Sequence, residues 1–284
     1  MQKSIALIFH ENEWKYTLRR FAIWHLADIW RRENIKVILL FGVRKFVPAD
    51  VAFLHVDLSL VPESYIDFAR RYPVIVNGRI RDIRKSRYSE QKVNPDDGYK
   101  GPVIVKSALN YAGQPERKLL GTAFSRLALR ITSRLPSHGS KKKSSRLRFR
   151  SPRDYQIYEK SSDVPQGLCD REDILIEKFV PERRGGFYYL RNYHFLGNQG
   201  ICMLRKSNDP IINMSNTISR VPVEVHPGIA ALARNMGFDY GKFDYVLHED
   251  KPVLLDANKT PGAARTPVFF ALSREWAKGI RDFL

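Results

Sequence analysis

Residues 243–258 have the sequence FDYVLHEDKPVLLDAN, in which two segments rich in β-forming residues flank a short polar break. The β-forming segments are residues 243–247 and 252–256, and the polar break is residues 249–251. Short runs of this composition on either side of a polar turn are typical of a β-hairpin. This stretch therefore predicts two antiparallel strands joined by a tight turn.

The predicted hairpin brings two aspartates together. If its centre is Asp250, Asp244 lies directly opposite Asp256, and Asn258 shares the face of Asp256 because side chains alternate along a strand. Like charges directly opposite each other repel, so this pair is costly unless a cation lies between them. Mg²⁺ binds one or two carboxylates together with substrate phosphates, and hard cations also accept amide oxygens. The alternative is a solvated, exposed face. The other face is predicted to be apolar and to carry Tyr245, Leu247, Val253 and Leu255.

Composition limits the class of protein. The chain has 284 residues, of which 43% are hydrophobic, as expected for a globular protein with a sizeable core. No apolar run is long enough for a membrane span, so we expect no membrane association. The two cysteines, Cys169 and Cys202, match no metal-binding spacing, and a reduced cytoplasmic setting is the default expectation.

The positive charge is concentrated in one segment. The net charge is +18, and residues 117–153 contain 12 Lys or Arg and no Asp or Glu. The rest of the chain is therefore only mildly basic. We predict a helix over residues 119–135 and a mobile loop over residues 136–152.

Strands and helices alternate along the first 80 residues. Continuous apolar strands between helices indicate a parallel sheet covered on both faces, which places the chain in the α/β class. No Gly-x-Gly-x-x-Gly follows the first strand, so the dinucleotide-binding fingerprint is absent. The predicted strands are residues 5–9, 35–40, 51–56, 72–76, 101–106, 173–180, 188–196 and 201–204. The predicted helices are residues 18–29, 62–71, 227–236 and 273–283.

The order of motifs in the C-terminal part resembles that of one enzyme superfamily. Asp244, then Asp256-Ala257-Asn258, then Thr260-Pro261-Gly262 resembles the metal-binding signature of the ATP-grasp superfamily, which includes D-alanine–D-alanine ligase and glutathione synthetase. The second carboxylate of that signature is usually Glu, and here it is Asp256. The resemblance implies an α+β ATP-grasp fold preceded by a small Rossmann-like domain. The implied domains are residues 1–92, 93–180 with the basic insert, and 181–284 with the metal site.

The same resemblance gives roles to four cationic residues. Lys106 ends an apolar strand, where a lysine either extends to solvent or meets an anion. It resembles the family's phosphate-binding lysine, and Lys85 resembles an earlier one. Residues 110–113 occupy the position of the phosphate loop. Arg191 resembles the arginine that faces the transferring phosphate, and Arg205 is a second candidate for that cluster.

The strand at residues 173–180 resembles the family's hinge strand. The resemblance implies that backbone groups of Lys178 and Val180 contact adenine, with Glu177 alongside, and that Glu182 reaches the ribose. An ordinary buried strand with charged ends explains the same pattern.

The family implies an ATP-dependent carboxylate–amine ligase. ATP binds between two subdomains, and two Mg²⁺ ions, or Mn²⁺ in their place, are held by Asp244, Asp256 and Asn258. An acyl phosphate forms from a carboxylate substrate, and an amine then displaces phosphate. The substrates are small molecules or peptides, and a basic chain favours anionic ones. The sequence does not distinguish a monomer from a homodimer.

Three other functions are open on the sequence alone. The first is an ATP-grasp kinase that phosphorylates a small anionic substrate. The second is nucleic-acid binding through residues 117–153, where only Phe124 and Phe149 are available for base stacking. The third is a non-catalytic ATP-binding protein, which the presence of all three predicted metal ligands argues against.

Overall fold

The computed structural model describes residues 2–94, 97–121, 149–264 and 266–284. Most of the basic insert, including the greater part of the predicted helix 119–135 and loop 136–152, lies outside the described residues. The chain forms two units, one of Met1–Ile83 with Val180–Leu284 and one of Arg84–Phe179. The three-domain division stays a prediction, and its first and third domains fall mainly within the first unit. Within the described ranges, no helix has both the length and the apolarity needed to cross a membrane.

The first unit begins with a four-stranded parallel sheet whose strand order is β2-β1-β3-β4. Its strands are β1 Ser4–Phe9, β2 Lys36–Phe41, β3 Val51–Leu54 and β4 Val74–Val76. Its helices are α1 Ala22–Arg32 and α2 Glu63–Ala69, and a 3₁₀ helix covers Lys15–Arg20. The predicted parallel sheet and the α/β class are therefore confirmed.

The second unit contains a three-stranded antiparallel sheet whose strand order is β6-β5-β7. Its strands are β5 Val103–Ser107, β6 Gln156–Tyr158 and β7 Ile174–Lys178. Its helices are α3 Lys85–Tyr88, α4 Gln114–Leu119 and α5 Gln166–Cys169, and 3₁₀ helices cover Asn110–Gly113, Pro152–Asp154 and Ser161–Asp163. Val103, Val105, Phe149 and Leu168 belong to its hydrophobic core.

The C-terminal part of the first unit is a six-stranded antiparallel sheet. Its order is β11-β10-β9-β12-β13, with β8 paired to β9. Its strands are β8 Glu182–Arg184, β9 Phe187–Leu196, β10 Gln199–Ser207, β11 Ser219–Val223, β12 Tyr240–His248 and β13 Lys251–Asn258. Its helices are α6 Pro227–Asn235 and α7 Pro267–Ala277, and a 3₁₀ helix covers Lys278–Asp282.

The last α-helix begins six residues earlier than predicted. We predicted residues 273–283, but α7 begins at Pro267 and ends at Ala277. The Thr266 hydroxyl accepts a hydrogen bond from the Phe269 amide at 3.2 Å, and proline suits the first helical turn. This capping signal is present in the sequence and marks the true start of the helix.

The two sheets of the first unit share one hydrophobic core. Trp30 of α1 and Trp276 of α7 are fully buried in it, together with Phe53 and Tyr240. The Trp30 indole donates a hydrogen bond to the Ala277 carbonyl at 3.0 Å. This packing fixes α7, and the antiparallel sheet that contacts it, against the parallel sheet.

Candidate functional site

The hairpin of β12 and β13 places Asp244 opposite Asp256, as predicted, but its turn and its strand register differ from the prediction. The predicted centre at Asp250 is wrong, because a two-residue turn of Glu249 and Asp250 joins the strands and His248 pairs with Lys251. In that register Asp244 would face residue 255. A shift between Asp244 and Tyr245, as in a β-bulge, restores its pairing with Asp256.

The same shift changes the predicted apolar face. Val253 pairs with Val246, and Leu254 pairs with Tyr245, so Val253 does not share the face of Tyr245. The bulge adds one residue to β13. Between the bulge and the turn, the side chains of β13 therefore lie on the opposite faces from those predicted. Asn258 lies beyond the bulge and keeps the predicted face of Asp256.

Asp244, Asp256 and Asn258 define one side of the antiparallel sheet, here called the carboxylate face. Across the strands, Asp244 is in register with Asn192 of β9 as well as with Asp256. Its Oδ1 accepts a hydrogen bond from Asn192 Nδ2 at 2.5 Å, and its Oδ2 lies 2.8 Å from Lys242 Nζ. A lysine therefore already offsets part of the repulsion that we predicted between the aspartates.

Hydrogen bonds fix the position of Asn258. Its Oδ1 accepts from the Thr260 amide at 2.8 Å, while the Thr260 hydroxyl donates to Asp57 Oδ1 at 2.7 Å. The segment after the hairpin is thereby attached to the residues that follow β3. A carbonyl oxygen has two lone pairs, so Asn258 Oδ1 can accept this hydrogen bond and also bind a cation.

The donor set of the carboxylate face fits a hard divalent cation. Two carboxylates and one amide oxygen are ligands that Mg²⁺ and Mn²⁺ accept. No cluster of three or more His, Cys, Asp or Glu with metal-binding geometry occurs among the described residues. Asp244, Asp256 and Asn258 would supply a partial coordination shell, and Mg²⁺ can complete such a shell with water and substrate phosphates.

Two arginines share the carboxylate face. Met203 is in register with Asn192, so Arg205, two residues further along β10, lies on the same side. Arg205 pairs directly with Arg220 of β11, and burial lowers the pKa of both guanidinium groups while the Asp244 charge opposes that effect. Arg205 donates from Nε and Nη2 to the Thr217 hydroxyl at 3.0 and 2.6 Å. Arg205 was a predicted site residue, whereas Arg220 was not, because the strand Ser219–Val223 was not predicted.

Arg191 lies on the opposite face from Asp244. It neighbours Asn192 in β9 and pairs with Tyr245, so alternation directs it away from the carboxylate face. Its Nη2 lies 3.1 Å from Glu182 Oε1, and Glu182 Oε2 accepts from the Leu247 amide at 2.9 Å. The structure thus brings Arg191 and Glu182 together. Their predicted contacts with phosphate and ribose stay predictions, and this placement gives Arg191 no support in that role.

The second unit brings the two predicted lysines close in the fold. Lys106 of β5 is buried and forms an ion pair with Glu177 of β7. The Lys85 amide donates to the Ala108 carbonyl at 2.8 Å, and its ammonium donates to the Leu109 carbonyl at 3.2 Å. Lys85 is therefore held beside the end of the strand that carries Lys106.

The predicted hinge residues occupy different settings. The Lys178 amide donates to the Gln91 carbonyl at 2.7 Å, and the Lys178 ammonium lies 5.3 Å from the centre of the Tyr99 ring. Its backbone amide is therefore already engaged. Val180 is partly buried and belongs to the first unit. The adenine contacts of both residues stay predictions.

The predicted phosphate-loop segment has an unusual backbone. Tyr111, Ala112 and Gly113 have φ values of 44°, 56° and 71°, all in the left-handed region. Arg117 Nη1 donates to the Ala112 carbonyl at 2.8 Å and supports this turn. Left-handed conformations at non-glycine residues are uncommon and concentrate at ligand-binding sites, so the segment is a candidate phosphate contact.

The similarity of this chain to known proteins is low. Neither a protein-family model nor a curated protein sequence matches the chain. Among solved structures, the chain is similar to a RimK domain ATP-grasp protein from Sphaerobacter thermophilus DSM 20745, with 12% identity, a TM-score of 0.47 and coverage of 98% of each chain. It is also similar to D-alanine–D-alanine ligase from Bacillus anthracis, with 10% identity, a TM-score of 0.46 and coverage of 100% of this chain and 99% of that one. We therefore base the functional proposal on this chain's own residues.

Proposed function

We propose that the protein is an ATP-grasp enzyme that joins a carboxylate to an amine in an ATP- and Mg²⁺-dependent reaction. The observation that carries the proposal is the register of the hairpin, which places Asp244 opposite Asp256 with Asn258 on the same face. These are oxygen donors on three positions of one rigid sheet. The order Asp, then Asp-Ala-Asn, then Thr-Pro-Gly resembles the superfamily's signature, with Asp256 in place of its usual Glu.

Asp244, Asp256 and Asn258 would hold the metal, with Mg²⁺ as the first choice and Mn²⁺ as a substitute. Bound there, the metal would neutralise charge on the nucleotide phosphates. The Asp244 oxygens accept from Asn192 and Lys242, but a carboxylate offers about four lone-pair positions, so capacity remains. Lys242 and Asn192 would act by fixing the orientation of the carboxylate.

Lys85 and Lys106 of the second unit are the proposed phosphate ligands. Both are buried, and an ammonium at a buried position needs an anionic or carbonyl partner. In the structure those partners are Glu177 for Lys106 and the Leu109 carbonyl for Lys85. We propose that Glu177 holds the Lys106 ammonium in place, and that the left-handed segment Asn110–Gly113 supplies backbone groups to the same phosphates.

The proposed reaction has two steps. A carboxylate oxygen of the substrate attacks the γ-phosphorus of ATP, ADP leaves, and an acyl phosphate forms. The nitrogen of an amine then attacks the acyl carbon, phosphate leaves with the acyl oxygen, and the amine loses a proton as the amide forms. In such reactions the protein contributes mainly positioning and charge stabilisation, for which Arg205 on the carboxylate face is suited.

An isotope experiment tests this function. ATP turnover is measured with pools of small carboxylates and amines, and the active carboxylate is then labelled with ¹⁸O. A ligase requires both substrates for sustained turnover and transfers one ¹⁸O atom from the carboxylate to phosphate. A stable phosphorylated hydroxyl compound would instead identify a kinase. ATP hydrolysis without transfer of the label would contradict the acyl-phosphate reaction.

A further inference from the structure

A cavity of about 130 Å³ lies between the antiparallel sheet and α7. Ile201 and Met203 of β10 form its floor, and Phe269 and Leu272 of α7 cover it. One cationic group, Arg220, is among the described residues that line it. A cavity of this kind, apolar with few polar groups, is typical of a small-molecule site.

The cavity lies on the same side of the sheet as the carboxylate face. Pro222, Met203, Asn192 and Asp244 form one row across β11, β10, β9 and β12, and Asp256 completes the row on β13. Residues directly opposite each other in a sheet share a face. Met203 is therefore both a wall of the cavity and a member of the row that contains the two aspartates.

Arg220 is held in an electrostatically unfavourable position. It pairs directly with Arg205, and like charges opposite each other on a sheet repel. Its Nε is buried and has no hydrogen-bond partner within the described part of the chain. An anion bound beside Arg220 would supply the missing hydrogen bond and reduce the repulsion, and a planar guanidinium matches a carboxylate especially well.

We propose that this cavity binds a small carboxylic acid with an uncharged apolar body, and that this acid is the carboxylate substrate. The carboxylate faces Arg220, and the apolar body lies among Ile201, Met203, Phe269 and Leu272. A cavity near 150 Å³ accommodates a benzene ring, so the body has about four to six carbon atoms. No acidic side chain is among the described lining residues, which disfavours an ammonium group in the cavity. That the acid is the substrate rests on the proposed ligase function, whereas the binding of the acid in the cavity is independent of that function.

Calorimetry on the full chain, without ATP or metal, tests the cavity. The probes are 4-methylpentanoate, its uncharged amide 4-methylpentanamide, and the cation 3-methylbutylamine. We expect the acid to bind at least about tenfold more tightly than either of the others, the scale of a charge-assisted hydrogen bond. Equal affinity for acid and amide, or no measurable binding of the acid, overturns the proposal.

Three variants locate the binding. Arg220→Gln should weaken binding of the acid at least about tenfold and leave its affinity close to that of the amide, while Arg220→Lys should retain an intermediate affinity. Val268→Trp, at a half-exposed lining position, should fill the cavity and abolish binding of the acid. The matched control is Arg32→Gln on the exposed end of α1, which should bind as the unaltered protein does. Unchanged binding in both Arg220→Gln and Val268→Trp would overturn the proposal, and the second variant keeps the test valid if the first does not fold.

Measurements of acid binding and of ATP turnover test the cavity proposal and the ligase proposal separately. Binding of the acid that depends on Arg220, in a protein without ATP turnover, would uphold the cavity and contradict the ligase function. ATP turnover that needs a carboxylate, in a protein whose turnover is insensitive to Val268→Trp, would uphold the ligase and contradict the cavity as the substrate site.

Discussion

The two sheets of the first unit distribute their polar residues in opposite ways. Strands β1 and β3 of the parallel sheet contain no charged residue, and all four residues of β3 are buried. In the antiparallel sheet, β9, β10 and β12 each contain charged residues between apolar ones, such as Arg191, Arg205 and Asp244. A parallel sheet is covered on both faces, whereas an antiparallel sheet can keep one face for solvent or ligand. The first sheet therefore serves stability, and the second presents chemical groups on a stable frame.

A group of charged residues lies beyond the strand ends of the parallel sheet. Arg20 Nη2 lies 2.7 Å from Glu13 Oε2 and 3.5 Å from Asp57 Oδ2, and Asp57 accepts the hydrogen bond from Thr260. Asp57, a buried carboxylate, thereby connects the carboxylate face to the parallel sheet. Substitutions in the two sheets should accordingly affect different measured properties.

The largest expected effect is on stability, from the parallel sheet. Phe53→Ala should lower the free energy of unfolding by about 3–5 kcal/mol, because the ring is fully buried against Trp30 and Tyr240. Phe41→Ala, in the same sheet but partly exposed, should cost about 1 kcal/mol or less. Denaturant unfolding measures both. Similar losses in the two variants would contradict the view that the buried core around Phe53 carries the stability of the parallel sheet.

Asp256→Asn should impair ATP turnover and leave stability intact, in contrast to Phe53→Ala. ATP turnover at saturating Mg²⁺ should fall at least about a hundredfold, roughly 2.7 kcal/mol, because a charged metal ligand is lost. The free energy of unfolding should be unchanged or slightly higher, since the repulsion with Asp244 is relieved. Asp67→Asn on the exposed surface of α2 is the control and should keep full turnover. Near-normal turnover in Asp256→Asn would contradict the assignment of the carboxylate face.

A buried histidine makes the parallel sheet sensitive to acid. His55 lies among Phe9, Phe21 and Tyr240, and burial lowers its pKa from 6.5 to about 3. The unfolded chain therefore binds a proton below about pH 6.5 that the folded protein excludes until about pH 3. Stability is complete above pH 6.5 and falls as the pH decreases, by about 2 kcal/mol at pH 5.

His55→Phe should remove that contribution. Unfolding curves at pH 7 and pH 5 should differ by about 2 kcal/mol less in the variant than in the unaltered protein. Burial under α7 also lowers the pKa of His194, so this residue reduces stability as the pH falls as well. The His55→Phe variant retains that contribution. An identical pH dependence in the two proteins would show that His55 is protonated or solvated in the folded state.

The smallest effect tests the hairpin turn. Glu249 and Asp250 both have positive φ, 48° and 59°, as in a type I′ turn, and both are exposed. Asn-Gly is the favoured pair for this turn, so Glu249→Asn with Asp250→Gly should raise the free energy of unfolding by about 1 kcal/mol. ATP turnover should be unaffected. A loss of stability would indicate a longer turn and a different register for Asp244.

Much of the fold was predictable because its signals are local. The apolar runs at residues 5–9, 35–40, 51–56 and 72–76 correspond to the four parallel strands. The pairing of Asp244 with Asp256 was also predicted, although two deviations offset each other: the turn is shorter than supposed, and a bulge restores the register. A bulge has no reliable sequence signal here, since the residue at 255 is an ordinary leucine.

The rest of the site depends on contacts between distant segments. Arg220 lies in an edge strand that contains Pro222, and proline obscures a strand pattern. Its neighbour Arg205 becomes a partner only when β10 and β11 pair. Arg191 was singled out as an arginine within an apolar strand, but its face is fixed by the register of β9 with β12, which a single sequence does not reveal.

Binding of Mn²⁺ in the presence of ATP tests the central claim most directly. Mn²⁺ accepts the same oxygen ligands as Mg²⁺, and its free concentration can be followed by electron paramagnetic resonance. The account predicts that the protein binds Mn²⁺ with ATP, and that Asp244→Asn combined with Asp256→Asn weakens this binding at least about tenfold while the protein stays folded. The same Mn²⁺ affinity in the double variant and the unaltered protein would contradict the carboxylate face as the metal site.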